Sequence, residues 1–140
     1  MDITEAIKGR ISTRAFLDQE VSRDVIEAIL RTARWAPSGG NTQPWEVAVV
    51  TGDRKREIGD RMVEALRSGD KGHADYQYYA HKFPEPYRTR RCVCGMALYE
   101  SLGIERSDKE ARAGHWEKNY SGLDAPVEFF FFVDEALELG

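Results

Sequence analysis

The apolar positions of this chain fall into alternating helix-like and strand-like periods. Ile3, Ala6, Ile7 and Ile11 recur at steps of three and four, which predicts a short helix over about residues 3–9. Val25, Ile26, Ile29, Leu30, Ala33 and Ala36 share one face of a second helix, which Ser22 can cap and Pro37 stops. The valine-rich run from Trp45 to Thr51 predicts a strand. Asp53 starts a third helix with Ile58, Met62, Ala65 and Leu66 inward and a solvated face of Arg54, Lys55, Arg56, Glu57, Asp60 and Arg61. Ser68 to Lys82 shows no apolar period and reads as a loop or lid. A fourth helix runs from about Arg88 to Leu102, with Gly103 just past its end. Ser107-Asp108-Lys109-Glu110 has a capping-box pattern and opens a fifth helix towards Asn119. Pro126 opens a last strand through Val133, apolar enough to be covered on both faces.

Five helices and two strands predict an α+β chain whose sheet is incomplete, since two strands alone are marginal. Further sheet would come from another chain or from sequence outside this one. A length of 140 residues suits a single domain over 1–140. The hydrophobic share of 41% and charged share of 31% are those of an ordinary globular protein. A net charge of −4 with interspersed signs argues against nucleic acid. The acidic start Met1-Asp2-Ile3-Thr4-Glu5 does not read as a signal peptide, and the apolar run near Phe129–Val133 is too short to cross a bilayer. A cytoplasmic protein with no membrane contact is expected.

Cys92 and Cys94 are the only cysteines. Their C-x-C spacing on a helix suits neither a shared metal nor a disulfide, so both read as small buried residues. His73, His81 and His115 have no metal-ligand spacing and read as surface residues, so no metal is expected. Tyr76, Tyr78, Tyr79, Phe83 and Tyr87 read as core or interface packing, or as the lining of a substrate channel.

Two segments carry candidate chemistry. Arg10-Ile11-Ser12-Thr13-Arg14 offers two guanidinium groups and a hydroxyl within five residues, which suits an anionic phosphate. If the stretch is extended, Arg10, Ser12 and Arg14 alternate onto one side. It could equally be a surface turn with solvated arginines. Pro37-Ser38-Gly39-Gly40-Asn41-Thr42-Gln43-Pro44-Trp45 cannot continue a helix, but it can bring backbone N–H groups and short amides close to a flat polar ligand. It too could be a plain helix-to-strand connection. Together the segments suggest a site for flavin mononucleotide (FMN).

The order of these motifs resembles the N-terminal part of the FMN-dependent nitroreductase family, over essentially the whole chain. Arg10 to Phe16 resembles its opening R-x-S-x-R-x-F, and Ala36 to Trp45 its A-P-S-x-x-N-x-Q-P-W loop. Pro86-Tyr87 with Arg90-Arg91, and Asp124-Ala125-Pro126-Val127, resemble weaker signatures of a subgroup active on nitroaromatics. The resemblance implies a three-layer α-β-α nitroreductase-like fold and a homodimer with FMN sites at the interface. It implies hydride transfer from NADH or NADPH to the flavin, then ping-pong transfer of electrons to a small nitroaromatic or quinone-type acceptor.

By the same carry-over, Arg10, Ile11 and Ser12 would serve the phosphate and ribityl chain, and Arg14 the pyrimidine edge of the ring. Pro37, Ser38, Gly39 and Asn41 would approach the flavin of the partner subunit, with Gln43 near the ring. The flavin carries the chemistry, so no catalytic side chain is expected. The family usually continues well beyond the portion resembled, and by the resemblance its continuation would hold further helices, the remaining sheet strands and part of the flavin site. The alternatives are a non-catalytic or truncated remnant of the same scaffold, and another flavin chemistry such as reductive dehalogenation or flavin fragmentation.

Overall fold

The computed structural model describes residues 2–70, 72–74 and 76–137. Lys71 and Asp75 of the expected loop, and the ends Met1 and Gly140 of the expected domain, lie outside the described residues. The elements are helices α1 (Ile3–Gly9), α2 (Arg23–Ala33), α3 (Gly52–Ser68), α4 (Tyr87–Ser101) and α5 (Lys109–Glu117), with strands β1 (Glu46–Thr51) and β2 (Val127–Phe132). They group into two compact units, Met1–Gly59 with Gly122–Gly140, and Asp60–Ser121.

In the first unit β1 and β2 pair antiparallel, with Glu46 opposite Phe132 and Thr51 opposite Val127. Helix α1 starts on a full capping box: Asp2 Oδ1 accepts from the Glu5 N–H at 2.9 Å and Glu5 Oε2 from the Asp2 N–H at 3.0 Å. Ser22 caps α2 through the Val25 N–H, as its sequence position predicts. That helix ends at Ala33 and does not reach Ala36. Pro37 has no N–H to offer the Ala33 carbonyl and its ring crowds that group. The chain instead leaves through tighter turns, Trp35 N–H to Thr32 O and Ala36 N–H to Ala33 O.

In the second unit, α4 closes on a Schellman motif. The Ile104 N–H bonds the Tyr99 carbonyl at 2.9 Å and the Gly103 N–H bonds Glu100 at 3.0 Å, with Gly103 at φ +66°. At the other end Glu85 accepts from the Thr89 N–H and hydroxyl and from Arg88 Nε. The Thr89 hydroxyl, then Arg88, hold the Glu85 carboxyl below the usual carboxylate range. Asp108, one residue after the expected Ser107, caps α5 through the Ala111 N–H at 2.8 Å. Between Gly69 and Phe83 the described residues form no helix or strand, as expected.

Burial corrects four expectations. Among the described residues no hydrophobic side chain is fully buried. Phe131 and Phe132 are 64% and 55% exposed, so β2 is not covered on both faces, and among the described residues it pairs along one edge, with β1. Cys92 and Cys94 are exposed rather than buried: no residue of α4 is fully buried, and Val93 and Met96 on the same helix also face solvent. Met62 is exposed, whereas Lys55, assigned to the solvated face of α3, is buried beside Gly59 one turn on. His73 and His81 are exposed, but His115 is half-buried and meets the Tyr99 ring edge-on at 6.0 Å.

Candidate functional site

All nine candidate cofactor residues lie in the first unit, in two segments without α-helix or strand. Arg10 leaves α1 in an extended conformation (φ −65°, ψ 125°). The stretch that follows stays irregular to the start of α2, and Arg10, Ile11, Ser12 and Arg14 are all exposed. Arg14 Nη1 donates to the Ser12 carbonyl at 3.2 Å. Arg23, Arg31, Arg54, Arg56, Arg67 and Arg88 all pair with a carboxylate. Arg10 and Arg14 have no carboxylate partner among the described residues.

The second segment is pinned by its own polar groups. After α2 the chain turns through a short 3-10 turn, Gly39–Asn41. Asn41 N–H bonds the Ser38 carbonyl at 3.0 Å, Thr42 N–H and hydroxyl bond the Gly39 carbonyl at 3.2 and 3.1 Å, and Gln43 N–H reaches Ser38 Oγ at 2.9 Å. This winding requires left-handed backbone at Gly40 (φ +59°), Asn41 (φ +54°) and Gln43 (φ +47°). Glycine adopts it freely and asparagine tolerates it, but glutamine adopts it at a cost. Gln43 Nε2 donates to Asn41 Oδ1 at 3.3 Å, which leaves Asn41 Nδ2 and Gln43 Oε1 without a protein partner among the described residues. One amide donor and one amide acceptor therefore sit side by side.

Each cluster is held together internally, yet no hydrogen bond joins the two among the described residues. Thr42 and Gly40 belong to the same loop but not to the expected cofactor contacts; Thr42 ties the turn to the Gly39 carbonyl and Gly40 supplies left-handed backbone. Neither of the two cavities described includes a candidate cofactor residue. One, of about 590 Å3, lies beside Phe16, Val21 and Pro126 in the first unit, and the other, of about 870 Å3, lies in the second. The Arg10–Arg14 and Pro37–Trp45 residues are thus surface features of the chain. Among the described residues no group of three His, Cys, Asp or Glu side chains could hold a metal ion, and no helix is long and apolar enough to cross a membrane.

In the second unit the aromatic set is ordered by cations. Tyr78 and Tyr79 meet edge-on at 4.6 Å, and the Arg91 guanidinium lies 5.1 Å from the Tyr79 ring centre and 4.9 Å from that of Phe83. Arg90 lies 5.8 Å from the Tyr87 ring centre. These contacts are within cation–π range.

Comparison with known proteins places the chain. A nitrobenzene nitroreductase of Ectopseudomonas oleovorans is 39% identical over 137 residues, 97% of this chain and 60% of that protein. The crystal structure of the FMN and NADPH-dependent nitroreductase NfnB from Sphigopyxis sp. strain HMH matches with a TM-score of 0.91 at 38% identity, covering 98% of this chain and 62% of that one. FMN-dependent NfnB from Mycobacterium smegmatis, solved in complex with NADPH, matches with a TM-score of 0.87 at 31% identity, over 97% of this chain and 61% of that one. The chain spans about 60% of the length of the first curated relatives it matches. Its fold is the α+β fold of these nitroreductases. The model of the Nitroreductase family matches residues 7–134, and the chain belongs to that family.

Proposed function

We propose that this chain carries one part of an FMN site in an NAD(P)H-dependent oxidoreductase that reduces nitroaromatic or quinone-type acceptors. The observation that carries the reading is the Pro37–Trp45 loop. Its internal hydrogen bonds hold a strained backbone in place and leave an amide donor and acceptor, on Asn41 and Gln43, for a flat heterocycle. The relatives' dependence on FMN and NADPH supports the same reading.

The residues present fit the cofactor. Among the described residues Arg10 and Arg14 are cations without a carboxylate partner, which suits a phosphate and an electron-rich ring edge. In this reading Arg10, Ile11 and Ser12 hold the phosphate and ribityl chain, and Arg14 stabilises negative charge at the pyrimidine edge. Pro37, Ser38, Gly39, Asn41 and Gln43 serve the flavin of a partner subunit. A bound flavin would supply the redox chemistry, hydride acceptance from NADH or NADPH and electron delivery to the acceptor in ping-pong order. The protein side chains bind and orient, and none acts as nucleophile.

A homodimer is part of the proposal. Ile3 and Ile7 of α1 and the following Ile11 are 78%, 69% and 77% exposed, an apolar stripe that a second subunit would cover. We further place residues 1–140 within one domain and the protein in the cytoplasm, in keeping with its two free thiols. The purified chain, incubated with FMN and gel-filtered, should retain yellow colour that NADH or NADPH bleaches and nitrobenzene restores. A colourless chain that takes up no FMN overturns the reading for this chain and favours a non-catalytic scaffold.

A further inference from the structure

We propose that Thr42 is a positioning residue of the flavin loop: by holding the Gly39 carbonyl it turns the Gly40 N–H outward, as a donor for the bound flavin. Neither Thr42 nor Gly40 is among the cofactor residues of the reading above. Their role rests on that reading and deepens it.

The Gly39 carbonyl accepts twice from Thr42, from its N–H at 3.2 Å and from its hydroxyl at 3.1 Å. Two bonds to one oxygen fix the direction of that carbonyl. A trans peptide is planar, with its C=O and N–H pointing to opposite sides. The Gly39 carbonyl and the Gly40 N–H share one trans peptide plane. The tie that draws the carbonyl towards Thr42 therefore turns the N–H away from it.

That N–H has no hydrogen-bond partner among the described residues, and Gly40 is exposed. The amides that follow are all used. Asn41 N–H goes to the Ser38 carbonyl, Thr42 N–H to the Gly39 carbonyl and Gln43 N–H to Ser38 Oγ. From Gly40 to Gln43 the loop leaves over only the first backbone donor. Around Gly39, next to it, a Cβ would meet nothing within 4 Å, which lets a flat ring come close to the backbone.

Backbone geometry gives this role to Thr42 rather than to a neighbour. Gly40, Asn41 and Gln43 are left-handed, whereas Thr42 is right-handed at φ −72° and ψ −23°. A β-branched residue is poorly suited to left-handed backbone, so Thr42 keeps the right-handed step in its place. The Asn41 and Gln43 side chains meet each other, and the Thr42 hydroxyl reaches back three residues instead.

The test compares the full chain with Thr42→Val, which keeps the shape and drops the hydroxyl, and Thr42→Ser, which restores the hydroxyl. Flavin fluorescence gives the Kd for FMN, and solvent-exchange NMR follows the Gly40 amide with and without FMN. In the unaltered chain, FMN at ten times its Kd should slow Gly40 exchange by about tenfold, the share of sites left open. Thr42→Val should raise the Kd by about fivefold, the scale of one neutral hydrogen bond, and lose most of the Gly40 protection at equal occupancy. Thr42→Ser should restore both. A purely structural threonine would change stability and leave Gly40 protected in FMN-saturated Thr42→Val, and that result overturns the proposal. Bound FMN that leaves Gly40 exchange unchanged in the unaltered chain overturns it too, with the flavin reading intact. A chain that takes up no FMN overturns the flavin reading and this role with it.

Discussion

Arg67 near the end of α3 and Glu117 at the end of α5, fifty positions apart, form a two-pronged ion pair: Nε to Oε1 at 3.1 Å and Nη2 to Oε2 at 2.8 Å. Parallel N–H donors to one carboxylate give this pair a fixed geometry that isolated surface pairs lack. The Arg67 hydrogen bonds hold the Glu117 carboxyl below its ordinary value of 4.5, and the same bonds raise Arg67. A carboxyl depressed on folding contributes stability above its unfolded pKa and loses it as pH falls through the folded value. We predict that Glu117→Gln lowers Tm at pH 7 by no more than about 4 °C, since the Arg67 side is wet. The gap between variant and wild type should hold above about pH 5 and close as pH drops below 4.5. Melts followed by circular dichroism from pH 7 to pH 3 check this; a gap that persists at pH 3 refutes it.

Among the described residues Arg14 bonds only the Ser12 carbonyl, two positions back, so its loss should leave the fold intact. Arg14→Ala is expected to raise the Kd for FMN by about tenfold or more, the usual scale of one charge-assisted contact. Quenching of flavin fluorescence on titration measures it, with circular dichroism as the control. An unchanged Kd removes Arg14 from the site.

Gln43 combines a left-handed backbone at φ +47° with a side chain that reaches Asn41. Left-handed backbone costs a side-chain-bearing residue about 1–2 kcal/mol. Glycine would shed that strain and give back part of it as unfolded-chain entropy. Gln43→Gly should therefore stabilise the chain by about 0.5 kcal/mol while weakening FMN binding. Opposite movement of Tm and flavin affinity is the signature; a fall in both would mean that the side chain, not the backbone, holds the loop.

Gly103 ends α4 at φ +66°, and a Cβ added there meets nothing within 4 Å. Gly122 has a similar φ of +62°, but a Cβ there would run into the Glu128 side chain. Gly103→Ala should cost about 1 kcal/mol from backbone strain alone. Gly122→Ala should cost more, and Glu128→Ala should return it to the Gly103→Ala level if the contact is the reason. Urea titrations of the four variants decide the matter.

Much of the architecture was legible because short-range signals and tertiary structure agreed. Ser22 caps α2, Gly103 closes α4 and the valine run becomes β1, each through bonds to near neighbours. The end of α2 was misplaced because Pro37 acts four residues back, on the Ala33 carbonyl. Burial was the least legible. Lys55 lies on a face of charged residues and is nonetheless buried, and the four-phenylalanine run is half wet. Period and composition report a side chain's preference, whereas burial depends on what else is there to cover it. In the candidate site the residue types could be read from the chain. The left-handed turns at Asn41 and Gln43, and the Ser38 hydroxyl that ties them, needed the backbone path.

With no fully buried hydrophobic side chain among the described residues, the homodimer proposed above predicts that folding and self-association form a single equilibrium. In that proposal, apolar surface left open by one chain, such as Ile3, Ile7 and Ile11, leaves the water when a second molecule arrives. Dilution should then act as a denaturant: the melting midpoint is expected to rise between two samples tenfold apart in concentration, by mass action. An identical midpoint in both would mean that each chain stands by itself.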